Sequence, residues 1–134
     1  MSPTATGLIG FAAWFAFLSV VLGVYRVVLV LRGEKAANAF APSGSDLAPF
    51  GQRLTRARDN CFETLPLFAA LALGAQLSGQ LAVTDSLALW VLALRVGQSL
   101  VHIASTSVPA VQLRATLFFA QMLIYVWWAI RLLG

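Results

Sequence analysis

The chain has 134 residues, of which 60% are hydrophobic and only 10% are charged. Together with a mean hydropathy of +0.84, this composition excludes an ordinary soluble domain and predicts one integral membrane domain over residues 1–134. The formal net charge is +4, but the basic residues are scattered between apolar runs, so we expect anionic lipid beside them and no nucleic acid. The single cysteine, Cys61, and the single histidine, His102, exclude an internal disulfide and a multi-histidine or thiolate metal site.

The first predicted transmembrane helix lies in the uncharged stretch from residue 7 to residue 25, which is long enough to cross a bilayer. The apolar pattern continues around Arg26 to about Arg32, and Gly33 predicts the stop. No basic residue precedes this helix, so we predict no cleaved signal peptide. Residues 33–52 mix Gly, Pro, Ser and charged residues, which predicts a loop.

The second predicted helix begins in a polar stretch at residue 53 and runs to about Leu77. Four of its polar residues are spaced three, four and three positions apart, which places them on one helix face: Arg53, Arg56, Asn60 and Glu63. Pro66 predicts a kink just after this stripe. Because unpaired charge next to hydrocarbon is costly, the stripe predicts a protein partner or a ligand.

The third predicted helix spans residues 86–105 and carries a second polar stripe. A short turn at residues 77–85 precedes it, and Thr84 or Asp85 is the predicted cap. The members of the stripe, Arg95, Gln98 and His102, repeat the three-then-four spacing.

The fourth predicted helix spans residues 112–132, after a turn at residues 105–111. Arg114 is expected in its first turn and Arg131 in its last. Trp127 and Trp128 predict an aromatic belt at the membrane interface.

The distribution of basic residues predicts the orientation in the membrane. Arg32, Lys35, Arg53, Arg56 and Arg58 belong to the first connection, and Arg114 follows the third, whereas the second connection and the N-terminus contain none. The positive-inside rule therefore places the first and third connections in the cytoplasm and both termini outside. Both polar stripes and Arg114 then meet at the cytoplasmic face.

The stretch from Arg53 to Phe68 resembles the signature of the MAPEG family, the membrane-associated proteins in eicosanoid and glutathione metabolism. The matching pattern is R-x-x-R-A-x-x-N-x-x-E-x-x-P-x-F, formed by Arg53, Arg56, Ala57, Asn60, Glu63, Pro66 and Phe68. Arg95 and Arg114 stand where the family has arginines in its third and fourth helices. The resemblance implies a four-transmembrane-helix subunit of a homotrimer, with glutathione bound between neighbouring subunits near the cytosolic face.

The resemblance also implies roles for individual residues. Arg56 and Arg32 would bind carboxylates of glutathione, Glu63 its amine and Asn60 its backbone, while Arg95, Gln98 and His102 would complete the binding site. Arg114 would be catalytic, because a cation beside the sulfur favours the reactive thiolate. A lipophilic electrophile or hydroperoxide would then enter from the bilayer, which implies a transferase or peroxidase.

Several positions depart from the animal members of the family. Gln98 and His102 replace a pair of tyrosines or a histidine and a tyrosine, Thr64 replaces a tyrosine, and Ala115 replaces a serine. These departures resemble a bacterial branch of the family, and they predict a bacterial inner membrane as the location.

Other interpretations of the same residues remain open at this point. The stripe of the second helix is also typical of a structural network with an Arg–Glu pair, and Arg95 is equally suited to pair with Asp59 or Glu63. For the whole protein, the alternatives are a non-catalytic lipid-binding or scaffold protein of the same fold, and a small transporter or channel with Arg26 and Arg95 at membrane depth.

Overall fold

The structure, a computed structural model, describes all 134 residues. The chain forms a bundle of helices joined by loops and contains no strand. Its elements are α1 (Pro3–Leu31), α2 (Pro49–Leu77), α3 (Leu81–Asp85), α4 (Ala88–Ala104) and α5 (Val108–Leu133). Four long helices joined in sequence confirm the predicted all-α architecture. The homotrimer stays a prediction.

Three segments are long and apolar enough to cross a membrane by length and composition alone: Pro3–Leu31, Leu81–Ala104 and Val108–Leu133. The helix α2 is not among them, because its first half carries the polar stripe. It nevertheless packs beside α1, α4 and α5 as a full member of the bundle. The helices therefore agree with a multi-pass integral membrane protein.

Local signals at the helix starts explain where the boundaries differ from the prediction. The helices α2 and α5 begin at Pro49 and Val108, earlier than predicted, and each has a proline in its first turn. A proline there costs nothing, because the first N–H groups of a helix have no intrahelical partner. Arg114 consequently lies six residues after the start of α5, and the prediction that it lies in the first turn is wrong.

The predicted turn at residues 77–85 contains the short helix α3, and α4 begins only at Ala88. The expected cap is also wrong, because the residue before α4 is Leu87 and no side chain caps that helix. Asp85 instead accepts hydrogen bonds from the backbone N–H and the hydroxyl of Thr4, at 2.9 Å and 2.6 Å. This carboxylate therefore satisfies a free N–H at the start of α1 and joins the start of α1 to the end of α3.

The helices α2 and α4 form the centre of the bundle, since they pack against each other and each packs against both α1 and α5, whereas α1 and α5 do not pack against each other. Small residues permit the close approach of α1 and α4. A Cβ atom added at Gly7 would lie 2.8 Å from the backbone oxygen of Ala88. Close backbone contact through glycine is a common way to join helices in a membrane.

Aromatic side chains fill the core between α1, α2 and α5. The ring of Phe68 lies 6.0 Å from Phe11, 6.1 Å from Tyr125 and 5.5 Å from Trp128, measured between centroids. Trp128 is fully buried in this cluster, so the predicted interfacial belt is wrong for this residue, while Trp127 remains 42% exposed. Aromatic packing thus fixes α5 against α2.

Candidate functional site

A groove with one mixed polar and apolar part and one wholly polar part opens between α2, α4 and α5, at the end of the bundle where α1 and α4 finish. One part has a volume of about 360 Å³ and is lined by Asn60, Glu63, Gln98, His102, Val111, Arg114, Ala115, Phe118 and Phe119. A second part, of about 300 Å³, is lined only by polar residues: Arg56, Asp59, Asn60, Glu63 and His102. Because the two parts share three lining residues, we treat them as one site, the α2–α4–α5 groove.

The groove brings together most of the residues that the sequence singled out. Arg56, Asn60 and Glu63 reach it from α2, Gln98 and His102 from α4, and Arg114 from α5. The periodicity of the two stripes is the local reason, since each set shares one face of its helix. Arg32 and Arg95 do not line the groove.

Of the charged residues that line the groove, Asp59 pairs with Arg58, whereas Arg56, Glu63 and Arg114 have no ion-pair partner within the chain. The only ion pairs are Lys35–Asp46 and Arg58–Asp59. Glu63 and Arg114 form neither a hydrogen bond nor an ion pair, and the Nε atom of Arg114 is buried without an acceptor. The structural network with an Arg–Glu pair, considered above, is therefore not formed in this chain.

Arg95 lies behind the groove rather than in it. Its side chain is fully buried, its guanidinium lies 5.4 Å from the ring centroid of Phe11, and its Nη1 donates to Asn60 Oδ1. It pairs with neither Glu63 nor Asp59. Because the oxygen of Asn60 is occupied, the Asn60 amide group is left to donate toward the groove.

Gln121 is a contributor that the sequence analysis missed. Its Nε2 donates to Gln98 Oε1 and to the backbone oxygen of Leu117, both at 3.0 Å, and its side chain is fully buried. By occupying the oxygen of Gln98, it leaves the Gln98 amide as a donor. The signal was available, because a glutamine inside the apolar run of α5 predicts an interhelical hydrogen bond.

Arg53 also has a different role from the rest of its stripe. Its Nε donates to the backbone oxygen of Ile103 at 2.7 Å, and this oxygen belongs to the last turn of α4. A cation at a helix C-terminus satisfies a free carbonyl and is favoured by the helix dipole. Arg53 thus anchors the end of α4, next to His102 in the groove.

The apolar residues that line the groove all come from α5, and most of them face outward. Phe119 is 63% exposed, and Val111 and Ala115 are also exposed. For a single chain in a bilayer this surface would contact lipid, so the groove would join a polar recess to the hydrocarbon.

Comparison of the chain with known protein families identifies the family to which it belongs. The MAPEG family matches residues 6–134, essentially the whole chain. The chain belongs to the MAPEG family.

Membership in the MAPEG family agrees with the all-helical bundle and with the apolar spans, and it confirms the predicted multi-pass membrane protein. Members of this family include glutathione-dependent enzymes. Searches of the curated proteins and of the solved structures find no significant match.

Proposed function

We propose that this MAPEG protein is a glutathione-dependent membrane enzyme that conjugates or reduces a lipophilic electrophile. The observation that supports this proposal most directly is that Arg56, Glu63 and Arg114 line one groove without an ion pair among them. Two cations and one carboxylate that do not pair with one another suit a ligand that carries both negative and positive groups. Glutathione carries two carboxylates and one ammonium group, and its thiol is the reactive centre.

Each polar group of the groove has a counterpart on this tripeptide. Arg56 suits a carboxylate, which a guanidinium binds through two parallel hydrogen bonds. Glu63 suits the ammonium group, and the amides of Asn60 and Gln98, oriented by Arg95 and Gln121, donate to peptide carbonyl groups. His102, in the shared part of the groove, completes the polar surface.

The position of Arg114 supports a catalytic role. It lines the part of the groove that also contains Phe118 and Phe119, so a sulfur beside its guanidinium would meet the apolar surface. A positive charge stabilises thiolate over thiol, and the proton leaves through the polar recess. The thiolate then attacks the electrophile, forming a carbon–sulfur bond as the leaving group departs. With a hydroperoxide, the oxygen–oxygen bond breaks instead, the hydroperoxide is reduced to an alcohol and water, and two glutathione molecules are oxidised to a disulfide.

The test separates binding from chemistry with two substitutions. Glu63→Gln should raise the Kd of glutathione about tenfold or more, because it removes the only carboxylate that the shared part of the groove offers the ammonium group. Arg114→Ala should lower kcat for conjugation of an apolar aryl halide much more than it raises that Kd. Calorimetry in detergent gives the first quantity and product absorbance the second.

Matched controls come from the same chain. Glu34→Gln alters a glutamate in the first connection, and Arg131→Ala alters an exposed arginine in the last turn of α5. Both should leave Kd and kcat unchanged. Normal turnover after Arg114→Ala would refute the mechanism. No heat of binding with millimolar glutathione would favour the non-catalytic lipid-binding or scaffold protein instead.

The same proposal includes assembly and location. The groove is open, with Arg56 and Glu63 exposed in the single chain, so a neighbouring copy in a homotrimer would cover it. Arg32 is exposed at the end of α1 and would contribute a carboxylate contact within this assembly. We place the protein in a bacterial inner membrane with the first and third connections in the cytoplasm. The mass of the detergent-solubilised oligomer tests the trimer.

A further inference from the structure

A second cavity lies outside the α2–α4–α5 groove, between the end of α1 and the connection that follows it. Its volume is about 400 Å³, and it is lined by Arg26, Val27, Val30, Leu31, Ala37 and Phe40. All of these residues except Arg26 are apolar. The cavity therefore presents a single cation within an apolar wall.

Arg26 is the unusual member of this cavity, because nothing in the chain pairs with it. It forms no ion pair, and its Nε and Nη2 atoms are buried without an acceptor. One face of its guanidinium is covered by Phe40, whose ring centroid lies 5.6 Å away. Nε and Nη2 lie on the same edge of the guanidinium, the edge that donates two parallel hydrogen bonds to a phosphate or a carboxylate.

The other cation beside Phe40 is already neutralised. The Nζ atom of Lys35 also lies 5.6 Å from the centroid of Phe40, but it forms an ion pair with Asp46 at 2.6 Å. An anion entering the cavity would therefore find Arg26 as the free donor. The Lys35–Asp46 pair joins the two ends of the connection between α1 and α2.

The depth of Arg26 indicates what kind of anion reaches it. The 29 residues of α1 make a helix about 43 Å long, whereas the hydrocarbon core of a bilayer is about 30 Å thick. A centred helix extends about 6 to 7 Å beyond the core at each end. Arg26 precedes the last residue of α1 by five positions, or about 7.5 Å, so it lies where hydrocarbon meets the lipid headgroups.

We propose that this cavity is a binding site for an anionic phospholipid. The phosphate would displace the Phe40 ring that covers the guanidinium of Arg26 and accept hydrogen bonds from Nε and Nη2, which are closed to solvent in the free chain. An acyl chain would lie along Val27 and Leu31, which are 57% and 81% exposed. An amphiphile with one negative headgroup matches a cavity with one cation and an apolar wall. The site is separate from the proposed glutathione site and does not depend on it.

The proposal is tested by native mass spectrometry of the full chain in detergent, titrated with phosphatidylglycerol. Arg26→Gln should raise the Kd of this lipid about tenfold, because it removes the charged bidentate contact. Arg26→Lys keeps the charge but loses the planar donor edge, and it should give an intermediate Kd. Arg131→Gln, an exposed arginine in the last turn of α5, is the control and should leave the Kd unchanged.

Two further arms identify the ligand. Phosphatidylcholine, which has a phosphate but no net charge, should bind more weakly than phosphatidylglycerol, and millimolar inorganic phosphate should not displace the lipid. Complete displacement by inorganic phosphate would overturn the lipid site in favour of a free-phosphate site. Equal lipid binding by wild type and Arg26→Gln would also overturn the lipid site. If Arg26→Gln lost the oligomer but still bound the lipid, Arg26 would instead belong to a subunit interface. Glutathione binding should be the same in wild type and Arg26→Gln, which keeps this test distinct from that of the proposed enzyme.

Discussion

Three glycines of α1, Gly7, Gly10 and Gly23, provide a graded test of how closely α1 packs against α4. A Cβ atom at Gly7 would lie 2.8 Å from the oxygen and 3.1 Å from the carbonyl carbon of Ala88, both of them backbone atoms that cannot rotate away. At Gly10 the nearest atom, at 2.6 Å, is the Cδ2 end of Leu92, a flexible side chain. At Gly23 nothing lies within 4 Å.

The magnitudes follow from these contacts. Replacing glycine with alanine inside a helix adds about 0.5 to 1 kcal/mol of stability from the backbone alone, and this gain is common to all three positions. At Gly7 the added methyl group forces α1 away from α4, and overpacking of this kind costs about 1 to 3 kcal/mol. We therefore expect Gly7→Ala to be less stable than Gly23→Ala by about 1 to 3 kcal/mol, with Gly10→Ala between them.

The assay is reversible unfolding in mixed detergent micelles, monitored by helical circular dichroism. The informative quantity is the difference in the free energy of unfolding between Gly7→Ala and Gly23→Ala, because the helix-propensity gain cancels. Equal stability of these two variants would show that α1 and α4 do not meet at Gly7. Such a result would contradict the close packing of α1 against α4.

Two further predictions concern the groove and the first connection. A double-mutant cycle with Gln98→Met and Gln121→Met should give a coupling energy of about 0.6 kcal/mol, the mean for interhelical hydrogen bonds in membranes, and at most about 1.7 kcal/mol. Gln112→Met, at an exposed site of α5, should show no coupling to Gln98→Met. Additive effects of Gln98→Met and Gln121→Met would contradict the hydrogen bond between the two residues. The hydrogen bond from Lys35 holds the pKa of Asp46 below its ordinary value. The pair therefore stabilises the folded connection fully at pH values above the pKa of an aspartate in the unfolded chain, about 3.9. This stabilisation is lost as the pH falls through the lower pKa of Asp46 in the folded chain. Carboxyl NMR should show the titration midpoint of Asp46 rising in Lys35→Met, and an unchanged midpoint would refute this cause.

Features that depend on local periodicity could be predicted from the sequence. The spacing of Arg56, Asn60 and Glu63 fixes them on one face of α2, because a helix turns every 3.6 residues wherever it lies. The same argument joins Gln98 and His102 on α4. These residues line the groove as the two stripes suggested.

The partners of long side chains on neighbouring helices could not be predicted from helical periodicity. Arg53 shares the stripe of α2 but reaches the carbonyl of Ile103, and Arg95 shares the stripe of α4 but turns toward Asn60 and Phe11. Arginine has a flexible stem, so its partner is set by whichever acceptor or ring the neighbouring helix offers.

By itself, the amino-acid sequence determined that the chain is helical, that it resides in a membrane and that its polar groups form two stripes, because composition and helical periodicity are properties of short stretches. Only the tertiary structure decided that α2 and α4 are central and that Gln121 orients Gln98. It also decided that Glu63 and Arg114 remain unpaired, while Arg58 and Lys35 form ion pairs. The physical reason is that pairing is a competition among groups far apart in the chain. Its outcome depends on which helix faces meet, and packing across the whole bundle decides that.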